Sequence, residues 1–341
     1  MILILRPMPA RSRGSFPAAS IMPAFVLLIV LLCSTIGALA QAVRSYPSEP
    51  IRIVVPFGPA GGPDFAIRAL QPELQETIMQ SVRVENRPGA NSIIGTRAVA
   101  TAAPDGYTLL GASTGFSTIE ITTSQLGFDP LKDFTPVSLT ARSAGYLLVV
   151  NAKSPIASMA DLIAGSKKSE VFYGSPGLGN TLHLIAGLFA EKAGATFKHV
   201  PYPGVAEAVL ATVRGEVTFV FSTPPAVMGL LQSGELRAIG YAGSEPFPDL
   251  PMVPPVSNAA PGFRIAEPWS GILAPAKTPD ITISILNAAL RRATEVPRYE
   301  AVLKAGSYRP QSSSPGEFRA FLEQNISDWR EAARAAGVRA K

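Results

Sequence analysis

The chain has 341 residues, with 30 basic side chains against 25 acidic ones, two histidines and one cysteine. A single cysteine excludes an intrachain disulfide framework and a cysteine-built metal cage. The first 40 residues hold three of the basic side chains and none of the acidic ones, so 27 and 25 remain beyond them. A net charge near +2 gives no support to a nucleic-acid partner.

Arg6, Arg11 and Arg13 lead into an apolar run over residues 21–32, and Ala38-Leu39-Ala40 supplies a small-x-small site. This order predicts a secretory signal peptide over residues 1–40, cleaved near Ala40. The run is too short to span a bilayer, which takes about 20 apolar residues. Leu32 stands before Cys33, where lipid attachment would want a small residue. Cleavage removes Cys33 and leaves about 300 residues, enough for one large or two ordinary domains. No second long apolar run follows, so the mature protein is expected to be soluble, monomeric and periplasmic.

Ile51-Arg-Ile-Val-Val-Pro-Phe57 reads as a β-branched strand, and the stretch from Gly58 to Asp64 as a turn. Phe65, Ala66, Leu70, Leu74 and Ile78 then fall at helical spacing. A strand at 81–85, a turn at 86–89, a helix at 94–102 and a strand at 107–110 follow. The pattern restarts with a strand at 146–150, a helix at 158–167 opened by Ser158, and a strand at 171–175. Next come a glycine loop at 176–180 and a helix at 181–193. After them are a strand at 197–202, a helix at 207–214, and strands at 217–221 and 236–241. A proline-rich connector spans 246–261. A strand at 269–274 and two helices, about 279–296 and 315–336, close the chain. Alternating strands, glycine loops and helices predict an α/β fold with largely parallel sheets. The restart predicts two lobes, linked near 138–145 and 262–270.

Chemistry-bearing motifs are scarce. There is no H-E-x-x-H, no G-x-S-x-G and no Walker A. Gly58, Gly61 and Gly62 lack dinucleotide-loop spacing. His183 is expected to be structural or pocket-lining. No catalytic residue, metal or cofactor is therefore assigned. The informative features are two strand–glycine turn–helix junctions, at 57–64 and 174–181. Glycine lets backbone N–H groups converge, and a helix start adds unpaired donors and partial positive charge. Facing one another, two such junctions would hold a carboxylate without lysine or arginine. Ordinary βα punctuation is the competing reading. Asp64, ahead of an apolar helical pattern, is first an N-cap candidate, as are Asn180 and Thr181.

The ordered motifs Tyr46-Pro-Ser-Glu-Pro-Ile-Arg-Ile-Val-Val-Pro-Phe57, Val84-Glu-Asn-Arg-Pro-Gly-Ala90, Ala103-Pro-Asp-Gly-Tyr-Thr-Leu109, Asp129-Pro-Leu-Lys-Asp-Phe134, His199-Val-Pro-Tyr202 and Leu273-Ala-Pro-Ala276 carry a resemblance. The chain resembles the substrate-binding proteins of tripartite tricarboxylate transporters, the Bug receptor family. The resemblance implies a type II-like periplasmic binding protein fold, with two lobes closing around a ligand cleft. Residues 41–142 plus 268–341 would form the first lobe and 143–267 the second. It implies capture of a small organic acid by backbone amides and ordered water, then delivery to membrane transporter subunits. The implied ligand-binding residues are Phe57, Gly58, Ala60, Gly61, Gly62 and Asp64 in the first loop, and Ser113 and Thr114 near the cleft. In the second lobe they are Ser175, Gly177, Gly179, Asn180, Thr181 and Ser222.

Three positions depart from the family pattern. Pro63 replaces a residue with an N–H. Ser222-Thr223-Pro224 stands where an Asp-Asn-x-Pro motif is frequent, which removes an acceptor for a ligand ammonium group. Tyr202-Pro203-Gly204 stands for a frequent Tyr-Lys-Gly. A receptor that docks onto a periplasmic sensor kinase is the alternative reading; an enzyme on the same fold ranks below both, because candidate general bases are few.

Overall fold

The computed structural model describes residues 46–59, 61–122, 125–243 and 245–335. The expected signal segment and Ala60 lie outside the described residues. From residue 47 onward the chain clusters as one compact unit built on two sheets.

The first sheet holds β1 (Ile51–Val55), β2 (Val82–Asn86), β3 (Thr108–Ser113) and β4 (Phe134–Ser143). It is completed late in the chain by β10 (Trp269–Pro275) and β11 (Tyr308–Pro310), in the spatial order β11-β4-β10-β3-β1-β2. The second holds β5 (Gly145–Asn151), β6 (Phe172–Ser175), β7 (Lys198–Pro201), β8 (Phe219–Ser222) and β9 (Leu236–Gly243), ordered β7-β6-β8-β5-β9.

The helices α1 (Gly62–Ile78), α2 (Ile93–Ala100) and α3 (Thr114–Thr122) belong to the first set of elements. The second set contributes α4 (Met159–Ser166), α5 (Thr181–Ala193), α6 (Val205–Val213) and α7 (Pro224–Gln232). The C-terminal segment adds α8 (Asp280–Thr294), α9 (Pro297–Ala305) and α10 (Pro315–Ala335). Among the described residues no helix is long and apolar enough to cross a membrane.

The expectation of largely parallel sheets is corrected. β1 pairs in parallel with β2 and β3, but β10 runs antiparallel to β3 and β4, and β11 antiparallel to β4. In the second sheet β6 is parallel to β7 and β8, while β5 is antiparallel to β8 and β9. The cause is topological. Helical crossovers join the parallel strands β1, β2 and β3, and β6, β7 and β8, whereas β5 enters the second sheet directly from β4 of the first through Ala144. β10 likewise returns from the second sheet and inserts between β3 and β4.

Other elements escape the sequence pattern. β4 occupies residues read as part of a connection. Its segment contains Pro136, which cannot donate to a ladder, and the β10 pairing shifts register beside it, between Ile272 and Leu273. The strand is nevertheless buried along most of its length, with α8 and α10 packed against it. α3 is rich in threonine and β-branched residues, poor helix formers. α7 opens with two prolines, tolerated only in a first turn. α9 also starts at a proline, Pro297, and separates the two expected C-terminal helices.

Local signals that involve a specific hydrogen bond fare better. Ser158 caps α4, accepting from Asp161 N–H at 3.1 Å. Asn180 caps α5, accepting from Leu182 N–H at 3.0 Å. Asp64 is not a cap: Gly61 holds that position, and Asp64 lies inside the first turn of α1.

Candidate ligand-binding site

A cavity of about 740 Å³ opens where loops of the two sheets meet. Residues 56–59 and 61–63 after β1, 88–92 after β2 and 113–115 after β3 form one wall. Residues 180–182, 202–207 and Thr223 form the other, with Tyr146, Trp269 and Tyr308 contributed by strands. Helices α1, α2, α3, α5, α6 and α7 all begin at these two walls, so the positive ends of their dipoles are gathered around one space. Among its described lining residues there is no lysine, arginine or histidine, and Glu207 is the one carboxylate. Such a surface favours an anion through neutral donors.

Hydrogen bonds join the walls. Gly62 N–H donates to Thr223 Oγ1 at 3.2 Å, and Asn180 Nδ2 donates to Asn91 Oδ1 at 3.1 Å. The hydroxyls of Thr118 and Thr181 lie 3.4 Å apart. Asn180 thus caps α5 with its carbonyl and reaches the opposite wall with its amide.

Of the residues expected at the site, Phe57, Gly58, Gly61, Gly62, Ser113, Thr114, Asn180 and Thr181 line the cavity. Gly115 allows the Phe57 ring to lie against the backbone, since a Cβ there would stand 2.5 Å from Phe57 Cζ. Thr114 Oγ1 accepts from Trp269 N–H at 3.2 Å and ties the start of α3 to β10.

The remaining described residues are not among those that line the cavity. Asp64, 3% exposed, accepts from Arg68 Nε at 2.9 Å and from Asn86 Nδ2 at 2.7 Å. Asn86 Nδ2 also donates to Phe57 O at 3.1 Å, so this network pins the first loop to the end of β2. In the second loop, Gly177 N–H donates to Ser175 Oγ at 3.2 Å and Gly179 N–H to His183 Nδ1 at 3.2 Å. These two amides are spent within the loop. Ser222 is buried, and its hydroxyl faces Thr223 O at 3.4 Å.

Sequence reasoning missed Tyr146, Tyr308, Asn91, Thr223 and the loop at 202–207. Thr223 immediately follows Ser222 and carried a readable signal, as a hydroxyl residue between a strand and a proline-started helix. Tyr308 comes from the far C-terminal segment and carried none. Burial raises the phenol pKa values of Tyr146 and Tyr308 well above the ordinary value, and neighbouring tyrosines add to the effect on Tyr308. Both stay protonated, and therefore able to donate, across the physiological range.

Behind the second loop, the His183 and His199 rings lie 4.4 Å apart, and His199 Nε2 is 2.6 Å from Ser175 Oγ. Because Gly179 donates to His183 Nδ1, the proton of neutral His183 sits on Nε2. Burial lowers both pKa values, and the neighbouring His183 lowers that of His199 further, to about 4. The unfolded chain binds a proton on His199 near pH 6.5, whereas the folded chain binds it only near 4. Between these values the unfolded state holds more protons, so stability falls as pH is lowered through that window. Urea unfolding at a series of pH values should show this loss, and His199→Gln should flatten the profile between about pH 6.5 and 4. An unchanged profile in the variant would remove His199 as the cause.

The profile of the family described as "Tripartite tricarboxylate transporter family receptor" matches residues 66–338. The chain belongs to this family. Protein BugT of Bordetella pertussis is 32% identical over 326 residues, which cover 94% of this chain and 99% of BugT. A solved structure of Rpa4515 from R. palustris with adipate has a TM-score of 0.83 and 30% identity, covering 87% of this chain and all of that one. MatC from Rhodopseudomonas palustris with bound malate has a TM-score of 0.77 and 27% identity, covering 84% and 99%. The fold is the two-lobed α/β architecture of periplasmic binding proteins. In this receptor the cavity is lined by residues from the segments of both sheets.

Proposed function

We propose that the receptor is exported to the periplasm, closes its two lobes around a small organic carboxylate, and delivers it to the membrane subunits of a tripartite tricarboxylate-type transporter. Residues 41–142 with 268–341 form one lobe and 143–267 the other. The observation that carries the reading is the cavity itself, where several helix N-termini and neutral hydroxyl and amide groups converge without a basic side chain. Family membership supports the transport role. The acids bound in the Rpa4515 and MatC structures support the ligand class.

The ligand carries no ammonium group. Ser222 stands where an acidic acceptor would serve one, and Glu207 is exposed at the cavity edge, where water screens its charge. A thermal-shift screen against mono-, di- and aromatic carboxylates and amino acids tests this. A ligand at about 100 times its Kd adds about 2.7 kcal/mol of stability. Stabilisation by carboxylates is expected, and stabilisation by amino acids alone overturns the ligand class. Mass spectrometry of any acid carried through purification identifies the ligand and shows whether it leaves unchanged. Small-angle scattering should record compaction at saturating ligand; identical profiles with and without it count against closure.

A further inference from the structure

We propose that Tyr308 is a ligand-binding residue whose hydroxyl donates to an acceptor oxygen of the acid held in the cavity; the assignment rests on the receptor reading above. Tyr308 opens β11, the short strand that the C-terminal segment lays against β4, and it sits opposite Ser143. Ser307 just before it takes a left-handed φ of 58°, which turns the chain out of α9 and sets the direction of the ring. The Phe65 ring lies 6.0 Å away at 48° and holds the phenol in place. Tyr308 is 8% exposed and lines the cavity, and no described residue hydrogen-bonds its hydroxyl.

The hydroxyl is not sealed within the protein but opens on the cavity, where an oxygen of a bound acid can reach it. Tyr299 provides the contrast. It is fully buried and spends its hydroxyl within the protein, donating to Thr140 O at 3.0 Å. The Tyr308 hydroxyl instead lies over Gly62, where an added Cβ would stand 2.3 Å from it. It is therefore placed beside the N-terminus of α1, so the phenol O–H acts where the helix end adds partial positive charge. Being neutral, it adds a directed donor to a cavity whose described lining has no cation. A carboxylate oxygen is the acceptor that best uses such a donor, through a charge-assisted bond.

The test is Tyr308→Phe with Tyr299→Phe as comparison, in the mature chain, titrated calorimetrically with adipate, malate and benzoate and with any acid that co-purifies. Losing one hydrogen bond to a charged group should weaken binding about ten- to hundredfold. The melting temperature of Tyr308→Phe should stay at or above that of the wild type, because no protein partner is lost. Tyr299→Phe should melt lower and bind as the wild type does. Binding by Tyr308→Phe within about twofold of a wild type that binds overturns this assignment alone. A wild type that binds none of the acids overturns the receptor reading and the assignment together.

Discussion

Replacing Trp269 by alanine should destabilise the protein by about 3–5 kcal/mol, among the largest costs of any single truncation in the chain. Trp269 is 2% exposed and opens β10, which inserts between β3 and β4. Its ring meets Phe318 at 5.4 Å and Phe321 at 5.8 Å, both edge-on, which docks α10 onto the first sheet. Its indole Nε1–H donates to Asn325 Oδ1 at 3.1 Å, and its backbone N–H donates to Thr114 Oγ1 at 3.2 Å. Alanine would empty the ring's volume and leave the buried Asn325 carbonyl without its donor. Trp269→Phe keeps much of the packing and loses the indole bond, at a cost of about 1–3 kcal/mol. Urea unfolding of both variants checks the ordering. An alanine variant no less stable than the phenylalanine variant would show that ring packing is not what holds α10. Because Trp269 also lines the cavity, ligand binding should weaken in the alanine variant as well.

Gly62→Ala should impair binding far more than its single methyl suggests. The added Cβ would stand 2.3 Å from Tyr308 Oη and 3.0 Å from Thr223 Cγ2. Relieving that overlap requires Tyr308 or Thr223 to move, at a cost of about 1–3 kcal/mol for overpacking. Moving Thr223 disturbs its hydrogen bond with Gly62 between the cavity walls, and moving Tyr308 displaces its hydroxyl from the cavity. Affinity for a carboxylate should fall about tenfold or more, with a measurable loss of stability. Gly229→Ala provides the control, because nothing lies within 4 Å of a Cβ at that position and Gly229 does not line the cavity. Calorimetric titration of the two variants decides the matter, and equal affinities would rule out steric crowding at Gly62.

Gly62 and Asn180 show how far the sequence could be read. Gly62 was legible as part of a glycine turn between a β-branched strand and an apolar helix, and its place at the cavity follows from that local pattern. Asn180 was legible as a cap, since an Asn ahead of a helical run is read from a few adjacent residues. The family resemblance implies ligand contacts for Ser175, Gly177 and Gly179, whose polar groups in the structure bond one another and the histidine pair. A glycine loop shows that backbone amides can converge, not whether a nearby side chain has already taken them. Asp64 likewise reads as a cap or a contact, and becomes a loop anchor only because Arg68 and Asn86 come within bonding distance.

By itself the amino-acid sequence determined the α/β class, the two-lobe restart, the family and the local turns and caps. Each rests on residues near one another in the chain, where hydrophobic period, glycine and capping side chains act directly on the backbone. Only the tertiary structure decided the mixed sheet directions, the burial of β4 and the presence of Tyr308, Tyr146 and Asn91 at one cavity. Those depend on contacts between segments far apart in sequence, such as Tyr308 over Gly62. No local propensity encodes such contacts, and only the packing of the completed lobes brings them together.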